Sequence, residues 1–336
     1  MNQKTRAARA ALPSRLAPVS NAARIAAGLV ALSAAFAATA VQAAATSRVR
    51  LPHDQQQAAE AAAASSGAST SAQAAGSRIK YHGGPVMVAP VNTIYVIWYG
   101  SFPVTGAGND TRTVMSDFFS HIGGSPQYNV NTTYHDGNGQ YVQNALRYDA
   151  ATTSYDDDYS LGHAPTDKQV PTIVKNAIAA GHLPADDNAI YFVVTSPDAT
   201  SKLKSGCAWH DGSTTLVAGH AIKYSSIPVY GGKSLQGCDG NVQNFHEQDS
   251  PNGNLEADNA LDSFMHELSE AVSDPLPSSG WATRTGSENG DLCNFNYGTT
   301  YLAPNGTHAN AHLGARDYLV QTIWQNTGKG FCANTL

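Results

Sequence analysis

The chain has 336 residues, 42% of them hydrophobic, with 20 Lys and Arg against 26 Asp and Glu and a formal charge of −6. That length suits one sizeable core. The shortage of basic residues excludes a nucleic-acid binder, since phosphate recognition draws on clustered Lys and Arg.

The first 24 residues carry Lys4, Arg6, Arg9, Arg15 and Arg24 and no acid, followed by the apolar run AAGLVALSAAFAATA and then VQA at 41–43. This order predicts a secretory signal peptide over 1–43, cut after Ala43. The run has 15 residues, mostly alanine, fewer than the about 20 needed to span a bilayer. Export leaves 15 basic residues against 26 acidic ones, a charge near −11 that suits cations as ligands. No later segment is apolar enough to cross a membrane, so no span is expected after signal removal. From Ala44 to residue 78 the chain is rich in Ala, Ser and Gln, as in QQQAAEAAAASSGASTSAQAAGS. Alanine buries too little surface to offset the entropy of ordering, so a flexible linker is expected there and a single folded domain over 79–336.

Residues 91–102, VNTIYVIWYGSF, and 188–196, NAIYFVVTS, are apolar at both parities and rich in β-branched and aromatic types. Both are expected as central strands covered on both faces. TRTVMSDFFSHIGG predicts a helix from Asp110 or Thr111, with Val114, Phe118 and Ile122 on one face and Gly123 closing it. A second helix, 167–180, places Val170, Ile173, Val174, Ala177 and Ile178 at helical spacing, with Pro171 tolerated in its first turn. Residues 214–230 are expected as one strand with Leu216, Ala218, His220, Ile222 and Tyr224 on one face. Strand, helix and strand in this order predict an α/β fold: a mixed central sheet flanked by helices, then a loop-rich, disulfide-linked C-terminal part. In an exported chain, Cys207, Cys238, Cys293 and Cys332 read as disulfides. Three pairings are possible. Proximity in sequence favours Cys207 with Cys238 and Cys293 with Cys332, and no CxxC pair supports structural zinc.

The stretch FMHELSEAVSDP at 264–275 concentrates ionisable groups on one helix, which Asp258 or Asn259 can cap and Pro275 ends. Leu261, Phe264, Met265, Leu268 and Val272 form its apolar stripe, and His266, Glu270 and Asp274 fall on the opposite side, away from the core. One reading is a solvated face. The other is a metal helix: Glu267, Glu270 and Asp274 crowd the C-terminal half, where the macrodipole disfavours each by about 0.3–1 kcal/mol, and a cation would relieve them. His266 and Glu270, at i and i+4, supply two donors on adjacent turns. Glu267 stands where helices of the HExxH kind keep the general base that deprotonates bound water. Asp274 is about 12 Å along the axis from His266, too far to share its ion. The third ligand is expected from SENGDLCN at 287–294, as Glu288 in preference to Asp291, with His308 and His312 as weaker candidates. Zinc suits a His and carboxylate mixture, calcium an oxygen-dominated set, and without either no cofactor is expected. GxSxG is absent, which argues against a serine hydrolase.

The segments YHGGPVMVAPVNTIYVIWYGSF at 81–102, IYFVVTSPD, CAWHDG and NAHLGARDYLVQTIW with Cys332 resemble the Exordium family, also called phosphate-induced or phosphate-responsive protein 1, over most of residues 80–336. The resemblance implies a secreted or cell-wall-associated protein, linked in plants to growth and to carbon-limited or hormone-dependent cell expansion, with no established enzymatic reaction. EAVSD is also similar to the glutamate-bearing helix segment of thermolysin-type peptidases, which gives Glu270 a ligand's role and Asp274 a supporting place behind it. The leading expectation is therefore a secreted, extracellular or periplasmic, Exordium-like protein with a divalent-metal site and a cell-wall or other extracellular ligand. The alternative is a secreted zinc-dependent hydrolase, peptidase-like, using Glu267. A carbohydrate-binding surface built from Trp209, Tyr230 and Trp281 is a third expectation, set against the favoured reading that these aromatics pack under loops. Asn109, Asn131 and Asn305 are glycosylation acceptors only in a eukaryotic secretory pathway.

Overall fold

The computed structural model describes Val49, Arg50, Gln55, Ala58 and residues 79–336 other than 205 and 233–236. The expected signal peptide lies outside the described residues, and so does nearly all of the expected linker. Within that linker Val49–Arg50 form strand β1. The strands that follow are β2 (Lys80–Tyr81), β3 (Asn92–Tyr99), β4 (Leu146–Arg147), β5 (Ser154–Asp157), β6 (Ala189–Thr195), β7 (Ala208–Val217) and β8 (His220–Pro228). The helices are α1 (Thr111–His121), α2 (Pro126–Asn129), α3 (Val170–Ala179), α4 (Gly240–Phe245) and α5 (Leu255–Ser273).

The fold is mixed α/β. Its central sheet runs β1-β7-β8-β6-β3-β4, with β5 also paired to β3. Strands β3, β4, β5, β6 and β8 pair in parallel, and β7 returns antiparallel to β8, carrying β1 on its outer edge. The double parity of β3 and β6 has the expected cause. Ile94, Val96, Trp98, Ile190, Phe192 and Val194 pack under α1 and α5, whereas Tyr95, Ile97, Tyr99, Tyr191 and Val193 pack under α3. Helix α1 begins after Asp110 as expected. The second helix starts as a 3-10 turn at Asp167, capped reciprocally by Thr166 and Gln169, before α3.

The expected single strand over 214–230 is instead a hairpin of β7 and β8. Val217 faces His220 across Ala218–Gly219, and Gly219 takes the positive φ of +83° that a two-residue turn requires. Leu216 and His220 therefore belong to different strands. The hairpin also draws the CAWHDG segment into the sheet, which fixes the side on which each of its residues faces.

Helix α5 departs further from expectation. Its cap is Asn254, whose side chain accepts from Ala257 N at 3.0 Å, so the helix starts ahead of Asp258 and Asn259, which are buried within it. Its apolar stripe packs as spaced, but the opposite face is not solvated: His266, Glu267, Glu270 and Asp274 are each 0% exposed. Strand β7 and the chain from 283 to 293 and at 321 close over that face. The chain after α5 carries β9 (Trp281–Ala282), which pairs with β2, and the two-stranded units β10 (Tyr301–Leu302) with β11 (His308–Ala309), β12 (Ala311–Leu313) with β13 (Arg316–Tyr318), and β14 (Ile323–Gln325) with β15 (Phe331–Ala333). Disulfides join Cys207 to Cys238 and Cys293 to Cys332, the pairing that proximity favours. Among the described residues no helix is long and apolar enough to cross a membrane.

Candidate metal centre

Helix α5 brings His266 and Glu270 to one face one turn apart, with His266 Nε2 3.0 Å from Glu270 Oε1. The two atoms lack hydrogen-bond geometry toward each other, and Nε2 has no hydrogen-bond partner among the described residues. His266 Nδ1 donates to Gln321 Oε1 at 3.0 Å and Gln321 Nε2 donates to Gly290 O at 3.0 Å. Such a partner on one ring nitrogen fixes the tautomer that presents the other as a lone pair.

The loop pinned by Cys293–Cys332 delivers the remaining carboxylates. Asp291 N donates to Glu270 Oε1 at 3.0 Å, and Asp291 Oδ1 lies 3.8 Å from His266 Nε2. A Cβ at Gly290 would stand 2.9 Å from Glu270 Oε1 and 3.0 Å from the His266 ring. Glycine there is what lets the loop approach the helix this closely. Of the two expected third ligands, Asp291 rather than Glu288 joins His266 and Glu270 in one group of mutually close donors. Glu288 meets a different partner: its Oε1 is 3.7 Å from Nε2 of His210, a residue the sequence reading passed over. His210, Glu270 and Glu288 form a second close group. His210 shares the inward parity of Ala208 on β7, so it faces α5, and its Nδ1 lies 3.1 Å from Glu267 Oε2 and 3.4 Å from Glu270 Oε2. The signal for it lay in CAWHDG, legible only once the hairpin puts that segment in a strand.

Glu267 is buried within the cluster, with Oε1 unpartnered. Asp274 holds the turn after the helix, accepting from Ser278 N at 2.7 Å, Ser279 N at 3.1 Å and Gly280 N at 2.6 Å, so its oxygens are engaged by backbone rather than by a ligand side chain. His308 stacks on Phe245 and pairs with Glu247, and His312 pairs with Asp317 on the surface, so neither joins the cluster. The three aromatics pack under loops as favoured and form no exposed surface. Tyr230 and Trp281 are buried, and Trp209 is half-buried with its Nε1 donating to Asp167. Asn131, one of the three glycosylation acceptors, is buried and donates to Ser269 Oγ.

Burial biases each charged group here toward neutrality. It raises the Glu267, Glu288 and Asp291 carboxyls, the last two well above the usual range. Burial opposes ionisation of Glu270 as well, but the His266 and His210 rings outweigh it and hold that carboxyl down to about 2. Burial lowers the imidazoles, and the carboxylates around them outweigh it: His266 is raised to about 9 and His210 well above its ordinary value. Asp291 is the cluster member with measurable access to solvent, its side chain 15% exposed.

Comparison with known proteins gives one family. The phosphate-induced protein 1 conserved region matches residues 79–334. Protein EXORDIUM-like 5 of Arabidopsis thaliana is 27% identical over 278 residues, covering 73% of this chain and 75% of that protein. Protein EXORDIUM-like 3 of Arabidopsis thaliana is 24% identical over 287 residues, covering 74% and 81%. No solved structure matches the chain.

Proposed function

Because the chain belongs to the phosphate-induced protein 1 family, we propose that it is an Exordium-like protein that acts outside the cytoplasm and holds a divalent cation on the HELSE helix. The two disulfides support an oxidising compartment. The observation that carries the metal reading is the approach of His266 Nε2 to Glu270 at 3.0 Å, fully buried and without a hydrogen bond to account for it. Buried charges are paired or bind metals, because an uncompensated one costs several kcal/mol or more. Asp291 is the third donor. An imidazole with two carboxylates favours zinc over calcium, whose sites are built from oxygen. A cell-wall or other extracellular ligand remains the proposed partner.

Elemental mass spectrometry on protein purified without chelator is expected to find at least one zinc per chain, and none in a His266→Ala, Glu270→Ala double variant that still folds. Absence of metal from the parent would refute the reading.

One observation favours a second reading, a metal-dependent hydrolase. Glu267 Oε1 is buried and unpartnered beside His266 and Glu270, where the general base of hydrolysis at a metal stands. Glu267→Gln would then abolish hydrolysis of a screened peptide substrate while leaving the zinc in place, and full activity in that variant would exclude the role.

A further inference from the structure

The donors that the first ion leaves unused define a second position. His210 Nε2, Glu270 Oε2 and both Glu288 side-chain oxygens are buried without a hydrogen-bond partner among the described residues, and His210, Glu270 and Glu288 lie close enough to share an ion. The Glu270 carboxylate faces both ways: Oε1 lies 3.0 Å from His266 Nε2, and Oε2 lies on the His210 side, 3.4 Å from Nδ1 of the ring whose Nε2 approaches Glu288. Resting on the metal reading above, we propose that the cluster is a two-cation centre in which Glu270 bridges an ion held by His266 and Asp291 to a second held by His210 and Glu288.

The carboxylates of Glu267, Glu270, Glu288 and Asp291 and the His210 and His266 rings face one buried space. Paired metal ions about 3.5–4 Å apart are a recurrent arrangement in hydrolytic sites. Glu267 acquires a definite place in this arrangement: its Oε2 accepts from His210 Nδ1 at 3.1 Å and turns Nε2 toward Glu288. A carboxylate behind a histidine ligand fixes the ring and raises its basicity. Each position offers one imidazole nitrogen and two carboxylates, a donor set for zinc or a similar borderline cation.

Zinc titration into the chelator-stripped full chain, with elemental analysis after gel filtration, tests the proposal. Two zinc ions per chain are expected in the parent, one in His210→Ala, one in Glu288→Gln and fewer than one in Glu270→Ala. Glu288→Gln keeps the side-chain shape, so it decides the matter if His210→Ala does not fold. One zinc in the parent, unchanged by His210→Ala or Glu288→Gln, overturns the second position and leaves the first standing. Two zinc ions retained in both variants overturn the assignment of those ligands. No zinc in the parent overturns both readings together.

Discussion

Arg50→Ala is expected to destabilise the protein by about 3–5 kcal/mol, the usual cost of removing one partner of a buried ion pair. Arg50 is 0% exposed and pairs with Asp262 of α5, while its Nη1 donates to Ser263 Oγ at 2.9 Å, its Nε donates to Asn294 Oδ1 at 3.1 Å, and its guanidinium lies 4.7 Å from the Phe295 ring centroid. Alanine would leave the Asp262 carboxylate buried with Tyr297 OH and Gln321 N as its remaining donors, at 2.7 Å each. For a domain of this size the loss corresponds to a fall in Tm of about 6–20 °C in thermal unfolding. An Arg50→Met, Asp262→Leu double variant should recover most of it, since the uncompensated charge is gone. A fall under 2 °C for the single variant would show that the residues at 49 and 50 are not part of the cooperative fold. Gln321 also supports His266, so Arg50→Ala is further expected to weaken zinc retention.

The second large effect is the response to metal removal across pH. Without metal, His266, raised to about 9, contributes stability that is fully present below its unfolded value near 6.5 and is lost as pH rises through about 9. Glu267, Glu288 and Asp291 act in the same sense, because their raised carboxyls hold protons that the unfolded chain releases above about 4. Glu270 alone opposes: held down to about 2, it contributes stability above about 4.3 that is lost as pH falls toward 2. The contribution of this cluster to the stability of chelated protein should therefore be greatest near pH 4–5 and fall toward pH 9. Cations compete with those protons, so their binding strengthens as pH rises. At a hundredfold excess of free zinc over its Kd the gain is about 2.7 kcal/mol, and the gap in Tm between zinc-loaded and chelated protein should widen from pH 5 to pH 8. Coincident melting curves at pH 5, 6, 7 and 8 would remove metal from the account of this cluster.

Much of the scaffold is written locally. Residues 92–99 and 189–195 are apolar at both parities because both faces of the sheet are covered, and Leu261, Phe264, Met265, Leu268 and Val272 give the phase of α5 directly. The Ala218–Gly219 turn was hidden inside an alternating pattern that continues through it, so the hairpin, and with it the inward face of His210, escaped a reading by periodicity.

By itself the sequence determined the α/β order, the helix carrying His266 and Glu270, the disulfide pairing by proximity and the loop that supplies Glu288 and Asp291. The tertiary structure decided that the polar face of that helix is buried, that Asp291 stands with His266 while Glu288 stands with His210, and that Arg50 is locked onto Asp262. Periodicity reports which face of an element is apolar. It cannot report whether the other face meets water, because that depends on segments 57 and 55 residues distant, β7 and the chain at 321, folding across it.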